Sequence, residues 1–199
     1  GSCLPSVAVL LPSGVLCGAF RTEAWNSEVS GAYLFQLNGL DGTLWGYLTI
    51  DAHPDYTQYT ASLGQMSLIR TTSKVWFPLT WTRVCLSLDT VSGMVGLVVD
   101  GRVLEEKVHR EALNEEENRP SVLSIIIGYT LTKLGWAQEC TGQTANVNIF
   151  STPLSTGRMI AITQAGGDEC GAPGDFLSWE EAKWKLTSQA RKVMVGDLA

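Results

Sequence analysis

Histidine is nearly missing from this chain. Only His53 and His109 occur, far apart in sequence. Neither sits in a G-x-S-x-G or comparable context, so a nucleophile–base–acid site has no frame. Both are expected at the solvent surface. The five cysteines, Cys3, Cys17, Cys85, Cys140 and Cys170, form no C-x-x-C pair, which removes the usual zinc spacings. Alternating carboxylates of the E-x-D-x-E kind, which place a glycosidase's acid and nucleophile on one strand face, are absent as well. The chain is read as a non-enzyme. No apolar run approaches the ~20 residues of a membrane-spanning helix. The longest, Val7 to Leu16, is broken by Pro12 and Gly14. There is no excess of basic residues either. The formal net charge is −6, which argues against nucleic acid or an anionic membrane as the main partner. No N-x-[ST] sequon occurs, so N-glycosylation is not expected.

What remains is a chain rich in short β signals. Apolar residues make up 45% and charged residues 17% of 199, enough for one large β domain with a full core. The organising stretch is WTRVCLSLDTVSGMVGLVVDGRVL, residues 81–104. Trp81, Arg83, Cys85 and Ser87 alternate with Thr82, Val84, Leu86 and Leu88, the period of a strand with two faces. Asp89 to Gly93 is a polar turn, Met94 to Val99 a returning strand, and Asp100-Gly101 a hairpin turn whose residues tolerate positive φ. Further strands are expected at Val7–Leu11, Val15–Thr22, Ala32–Leu37, Leu44–Ile50, Gln58–Leu63, Gln65–Thr71, Val122–Ile127, 136–150 and 176–186. Gly128 to Gly135 is expected to be a loop. The charge-rich run 105–120, EEKVHREALNEEENRP, is expected as a helical turn or solvated loop. One helix is expected from Leu154 to Gln164, with Ser155 as its N-cap and Gly166-Gly167 as its stop.

Three segments carry a resemblance. In the first, Trp81, Val84, Cys85, Val99, Asp100, Gly101 and Arg102 fit a W-x-x-[IV]-C strand followed by V-D-G-[KR]. The second is ANVNIFSTPLSTGRMIAITQAGG, residues 145–167, and the third GDFLSWEEAKWKL, residues 174–186. In this order they resemble the pentraxin family, with laminin-G domains as the wider group. The resemblance implies an all-β, two-sheet antiparallel jelly-roll sandwich of the concanavalin A type with one short helix, over residues 1–186. Residues 187–199 are then a tail or linker, with a further domain beyond it among the expectations. Opening at Gly1-Ser2 without Met fits a chain processed or cut from something longer, or a cloning scar.

The resemblance also implies a bridge between Cys17 and Cys85. Cysteines without metal spacing favour a secreted protein or the extracellular side of the cell surface. A second bridge, Cys140–Cys170, is expected without family guidance. Cys3 is then left to pair outside the chain or to displace one of those partners. Pentraxins bind ligands through calcium, but the implied ligand set is incomplete here. Asp41 is followed by Gly42 where an Asn is expected, and 129–134 reads YTLTKL, without a carboxylate. Only Asp41 and Gln138 match, too few for an ion that takes six to eight oxygens. No metal site or other cofactor is expected, and any calcium affinity should be weakened to millimolar or worse. Among the seven tryptophans, Trp81 and Trp179 belong to the motifs and are expected in the core. Trp25 and Trp136 lie in or beside loops and are the candidate ligand-binding aromatics. The expected function is a non-enzymatic extracellular recognition domain for a carbohydrate or protein ligand, with homo-oligomers among its expected partners. The alternatives are a calcium-dependent lectin or phospho-ligand binder, and an assembly or adhesion module packing on a neighbouring subunit.

Overall fold

A computed structural model describes residues 13–22, 29–39, 44–52, 55–63, 66–74, 79–89, 91–109, 123–132, 137–139, 142–164 and 172–182. Its strands are β1 (Ser13–Thr22), β2 (Val29–Gly39), β3 (Leu44–Ala52), β4 (Thr57–Leu63), β5 (Met66–Ser73), β6 (Thr82–Asp89), β7 (Met94–Val99), β8 (Arg102–Val108), β9 (Leu123–Thr132), β10 (Ala137–Glu139) and β11 (Gly142–Phe150). One helix, α1 (Thr156–Thr163), follows. The strands form a five-stranded sheet, β11-β1-β6-β7-β8, and a six-stranded sheet, β10-β9-β2-β3-β4-β5. Every strand pairing is antiparallel. The two-sheet sandwich with one short helix is the expected architecture.

The sheets pack through alternate residues. Leu48, Ile50, Tyr59, Ala61 and Ile69 of one sheet meet Phe20, Val84, Val95, Leu97, Val147 and Ile149 of the other. Burial pushes the Tyr59 phenol well above its ordinary range, and the Asp100 carboxylate adds to the shift. The five-stranded sheet is buried on its outer side too, where Met159 and Ile162 of α1 cover Val15, Cys17, Cys85, Val98 and Phe150. Burial on both faces explains why β7 reads as a continuous apolar run rather than an alternation. Cys17 and Cys85 are register partners on β1 and β6. They form a disulfide with Cα atoms 4.1 Å apart beneath the helix.

The turns obey their residues. Asp100 (φ 46°) and Gly101 (φ 75°) both lie at positive φ, as a two-residue hairpin of type I′ requires. The Asp100 N–H donates to the Arg83 carbonyl at 2.9 Å, and its carboxylate accepts the Arg83 N–H at 2.8 Å. Desolvation nevertheless holds the Asp100 pKa above its usual value. The Gly101 N–H donates to the Thr163 hydroxyl at 3.1 Å and ties the end of α1 to this hairpin. At the start of α1 the Ser155 side chain accepts the Arg158 N–H, the expected cap.

Several expectations need correction. Residues 105–108 of the charge-rich run are not a helical turn but the second half of β8. Alternate positions of an edge strand tolerate charge, and Glu106 accepts a hydrogen bond from the Thr156 hydroxyl at 2.7 Å. The loop expected from Gly128 is strand as far as Thr132, paired to β2 and β10. The single strand expected over 136–150 is two strands, β10 and β11, in different sheets. Of the strand or strand-like segment expected over 176–186, the described part, as far as residue 182, makes one bridge, Leu177 to Ile149, and 183–186 lie outside the described residues. That segment is pinned by the buried Asn148, whose Oδ1 accepts the Gly174 and Trp179 N–H groups at 3.2 and 3.0 Å. Gly174 is obligatory there, because a Cβ would lie 2.3 Å from two carbonyl oxygens. Trp81 and Trp179 are half-buried, and Trp179 packs on the edge of the core. His109 is half-buried rather than solvent-facing; its Nε2 lies 2.8 Å from the Leu68 carbonyl oxygen and links the β8 edge to β5.

Candidate functional site

The outer face of the six-stranded sheet is where polar side chains gather. Because Leu48, Ile50, Tyr59, Ala61 and Ile69 point into the core, their neighbours along each strand point away from it. Strand pairing aligns these neighbours in rows. Gln36, Tyr47 and Ser62 form one row. Thr49, Thr60 and Arg70 form the next, and Asp51, Gln58 and Thr72 the third. Strands ~4.8 Å apart, with rows ~6.6 Å apart along them, give a regular lattice of donors and acceptors. Within it the Thr49 hydroxyl donates to the Thr60 carbonyl at 3.4 Å, and the Gln58 amide to the Thr60 hydroxyl at 3.5 Å. In these rows Asp51 and Arg70 are the only charged side chains. The helix lies on the other sheet, so among the described residues no helix covers this face.

Such a surface offers hydroxyl, amide and one aromatic group in a plane, with no paired acid and base. It can hold a flat polar ligand by many hydrogen bonds, but it offers no proton-transfer constellation. Among the described residues no three His, Cys, Asp or Glu side chains converge as metal ligands would.

Of the candidate residues from the sequence, Gln138, Cys17 and Cys85 are among the described residues. Gln138 lies on β10, opposite Thr130, which in turn is opposite Ala32 of β2. The ends of β2 and β3 that flank the 40–43 segment are at Gly39 and Leu44. Ala32 and Gly39 are seven residues apart on β2, roughly 23 Å at the rise of a strand. The row of Gln138 and the strand ends that flank the 40–43 segment are therefore far apart along β2. Asp41 itself, Trp25, Trp136, Cys140, Cys170 and Cys3 lie outside the described residues. The three polar rows were not singled out from the sequence. The signal was present in the alternation of Tyr47, Thr49 and Asp51 with Leu48 and Ile50, which marks a face that carries polar groups and no core.

Comparison with known proteins locates this arrangement. A sequence model described as the Pentaxin family matches residues 48–193. C-reactive protein of Xenopus laevis is 28% identical over 114 residues, 55% of this chain and 45% of that protein, so the match spans less than half of the relative's length. Among solved structures, the native heptameric SAP-like pentraxin from Limulus polyphemus superposes with a TM-score of 0.67. It is 14% identical, over 92% of this chain and 81% of that one. The full extracellular region of zebrafish Gpr126/Adgrg6 gives a TM-score of 0.65 at 15% identity, over 98% of this chain and 25% of that one. The CBM40 of the Ruminococcus gnavus IT-sialidase, bound to α2,3 sialyllactose, gives 0.56 at 18% identity, over 77% and 83% of the two chains. At these identities the structural matches establish the fold.

Proposed function

The chain belongs to the pentaxin family, a family of non-enzymatic binding proteins, and from that premise we propose that it is an extracellular recognition domain. In this reading it is secreted or displayed at the cell surface and takes a carbohydrate or protein ligand on the outer face of its six-stranded sheet. The observation that carries the reading is the three-row polar lattice around Thr49, Thr60 and Gln58, which no described helix covers, while α1 caps the opposite sheet. Two neighbours of the fold support it: the Gpr126/Adgrg6 structure is an extracellular region, and the CBM40 module holds a sialylated sugar.

Calcium is not expected to mediate this binding. The sequence offers only Asp41 and Gln138 as matching ligands, and 129–134, YTLTKL, has no carboxylate, too few oxygen donors for a tight calcium site. Association with further copies of the chain is part of the proposal, since the Limulus pentraxin is a heptamer. A glycan and protein-ligand array probed with the disulfide-bonded chain, once in calcium and once in chelator, tests the reading. Equal signals in the two conditions, lost on Gln58→Ala with Arg70→Ala, are expected. Binding seen only with calcium would replace it with the calcium-dependent alternative.

A further inference from the structure

Arg21 and Arg70 both lie on strands and differ in what they touch. Arg21 on β1 donates from Nε to the Leu79 carbonyl at 2.8 Å and from Nη1 to the Gln143 side chain at 3.2 Å. Arg70 on β5 is exposed, and among the described residues no hydrogen bond or ion pair engages it. A bulge in the pairing of β4 with β5 turns both Leu68 and Ile69 inward and brings Ser67 and Arg70 out on the polar face. Around Arg70 stand Thr60 on the neighbouring strand, Ser62 and Ser67 in the row on one side, and Gln58 and Thr72 in the row on the other. None of these is acidic and none is apolar. The Thr60 hydroxyl accepts from the Gln58 amide at 3.5 Å, which leaves its own O–H to donate outward. Asp51, the acid of the three rows, is two strands away and one row along.

Given that recognition takes place on this face, we infer that its ligand is an acidic glycan, whose carboxylate or sulfate group is held by the Arg70 guanidinium. The planar fork of N–H donors matches such an oxyanion, and the surrounding hydroxyls and amides take the neutral sugar hydroxyls beside it. An acidic peptide finds no comparable place. Strand addition, by which an extended peptide uses a sheet edge, needs free carbonyls along β5. That edge is tied to β8 instead. His109 Nε2 lies 2.8 Å from the Leu68 carbonyl oxygen, and the Thr71 hydroxyl donates to the Leu104 carbonyl at 3.4 Å. The net charge of −6 repels acids in general, so the contacts of Arg70 rather than the overall field select this one.

The test uses the intact, disulfide-bonded chain in chelator with matched oligosaccharides, read by calorimetry. One pair is a uronic-acid oligomer and its methyl ester, the other a sulfated galactose oligomer and its unsulfated parent. At least one charged member is expected to bind tenfold or more tightly than its neutral partner, and the two pairs distinguish carboxylate from sulfate. Arg70→Gln should erase that difference. Arg70→Lys, which keeps the charge and loses the fork, should leave part of it. Arg70 is exposed, so both variants should fold and melt as the parent does. Charged and neutral members bound equally, with binding still lost on Gln58→Ala with Thr60→Ala, would overturn the acidic ligand and leave the recognition face standing. A charge preference that survives Arg70→Gln would overturn the site. No binding of any member, or tighter binding of a polyglutamate peptide, would overturn the glycan.

Discussion

At outward positions of the five-stranded sheet stand Val15, Cys17, Cys85 and Val98, and α1 covers them with Met159 and Ile162. At outward positions of the six-stranded sheet stand Tyr47, Thr49, Asp51, Gln58, Thr60 and Arg70, with no helix over them among the described residues. The two sheets share one core and one strand chemistry on their inner sides. Their outer sides have opposite thermodynamic roles. Removing apolar area from water stabilises the first, at about 25 cal/mol per Å². The second carries polar groups, Thr49 buried and most of the others half-buried, and removes less apolar area from water. Stability and recognition are thus separated onto opposite faces of one sandwich.

The sharpest way to break this comparison is at the disulfide under the helix. Replacing Cys17 and Cys85 together by alanine releases a loop with a sequence separation of 68. The chain-entropy model places the loss at about 4 kcal/mol, which urea unfolding of the double variant against the oxidised parent should report. The next test sets one residue from each face side by side. Met159→Ala removes a buried side chain from the helix-covered face and should cost roughly 3 kcal/mol. Thr60→Ala on the bare face should change stability by less than ~0.5 kcal/mol. Equal losses from the two would remove the distinction between the faces.

Asn148→Ala sharpens the comparison at the edge of the capped sheet. It deprives the Gly174 and Trp179 N–H groups of their buried acceptor and should cost about 2–3 kcal/mol. The 172–182 segment should gain protease sensitivity in the same variant.

The capped sheet was the more legible of the two. Its strands sit in the WTRVCLSLD and VVDGR motifs, where alternation and a D-G turn coincide, and the Ser155 cap stands at the head of an apolar helix. Cys17 opposite Cys85 followed from the family resemblance and is met in the register of β1 and β6. The bare face was harder to read, because Thr, Ser and Gln on a strand signal only solvent until neighbouring strands align them. The long-range exchanges were also hidden. Nothing local in 136–150 marks the change of sheet between β10 and β11. The carboxamide of Asn148 reaches a segment 26 to 31 residues later, a contact no sequence period encodes.

The smallest expected effect is an acid one. The Ser151 hydroxyl and N–H donate to Asp175 at 2.6 and 2.7 Å and hold its pKa below the usual value. A depressed folded pKa gives stability that is present above the unfolded carboxylate pKa and lost as pH falls through the folded one. Asp175→Asn should therefore flatten the acid limb of a stability-versus-pH curve slightly and leave its shape at neutral pH unchanged. The neighbouring turn offers an internal reference, since Asp89 is lowered in the same sense by the Ser92 hydroxyl.

The division between a structural face and a recognising face is tested most directly by array binding with two variants in chelator. One carries Gln58→Ala, Thr60→Ala and Arg70→Ala on the bare sheet. The other carries Gly157→Arg on α1, where an added Cβ meets nothing within 4 Å. The account predicts that the first loses at least tenfold in affinity for whatever ligand the parent selects, while the second binds as the parent does. Binding abolished by Gly157→Arg and untouched by the triple substitution would contradict it.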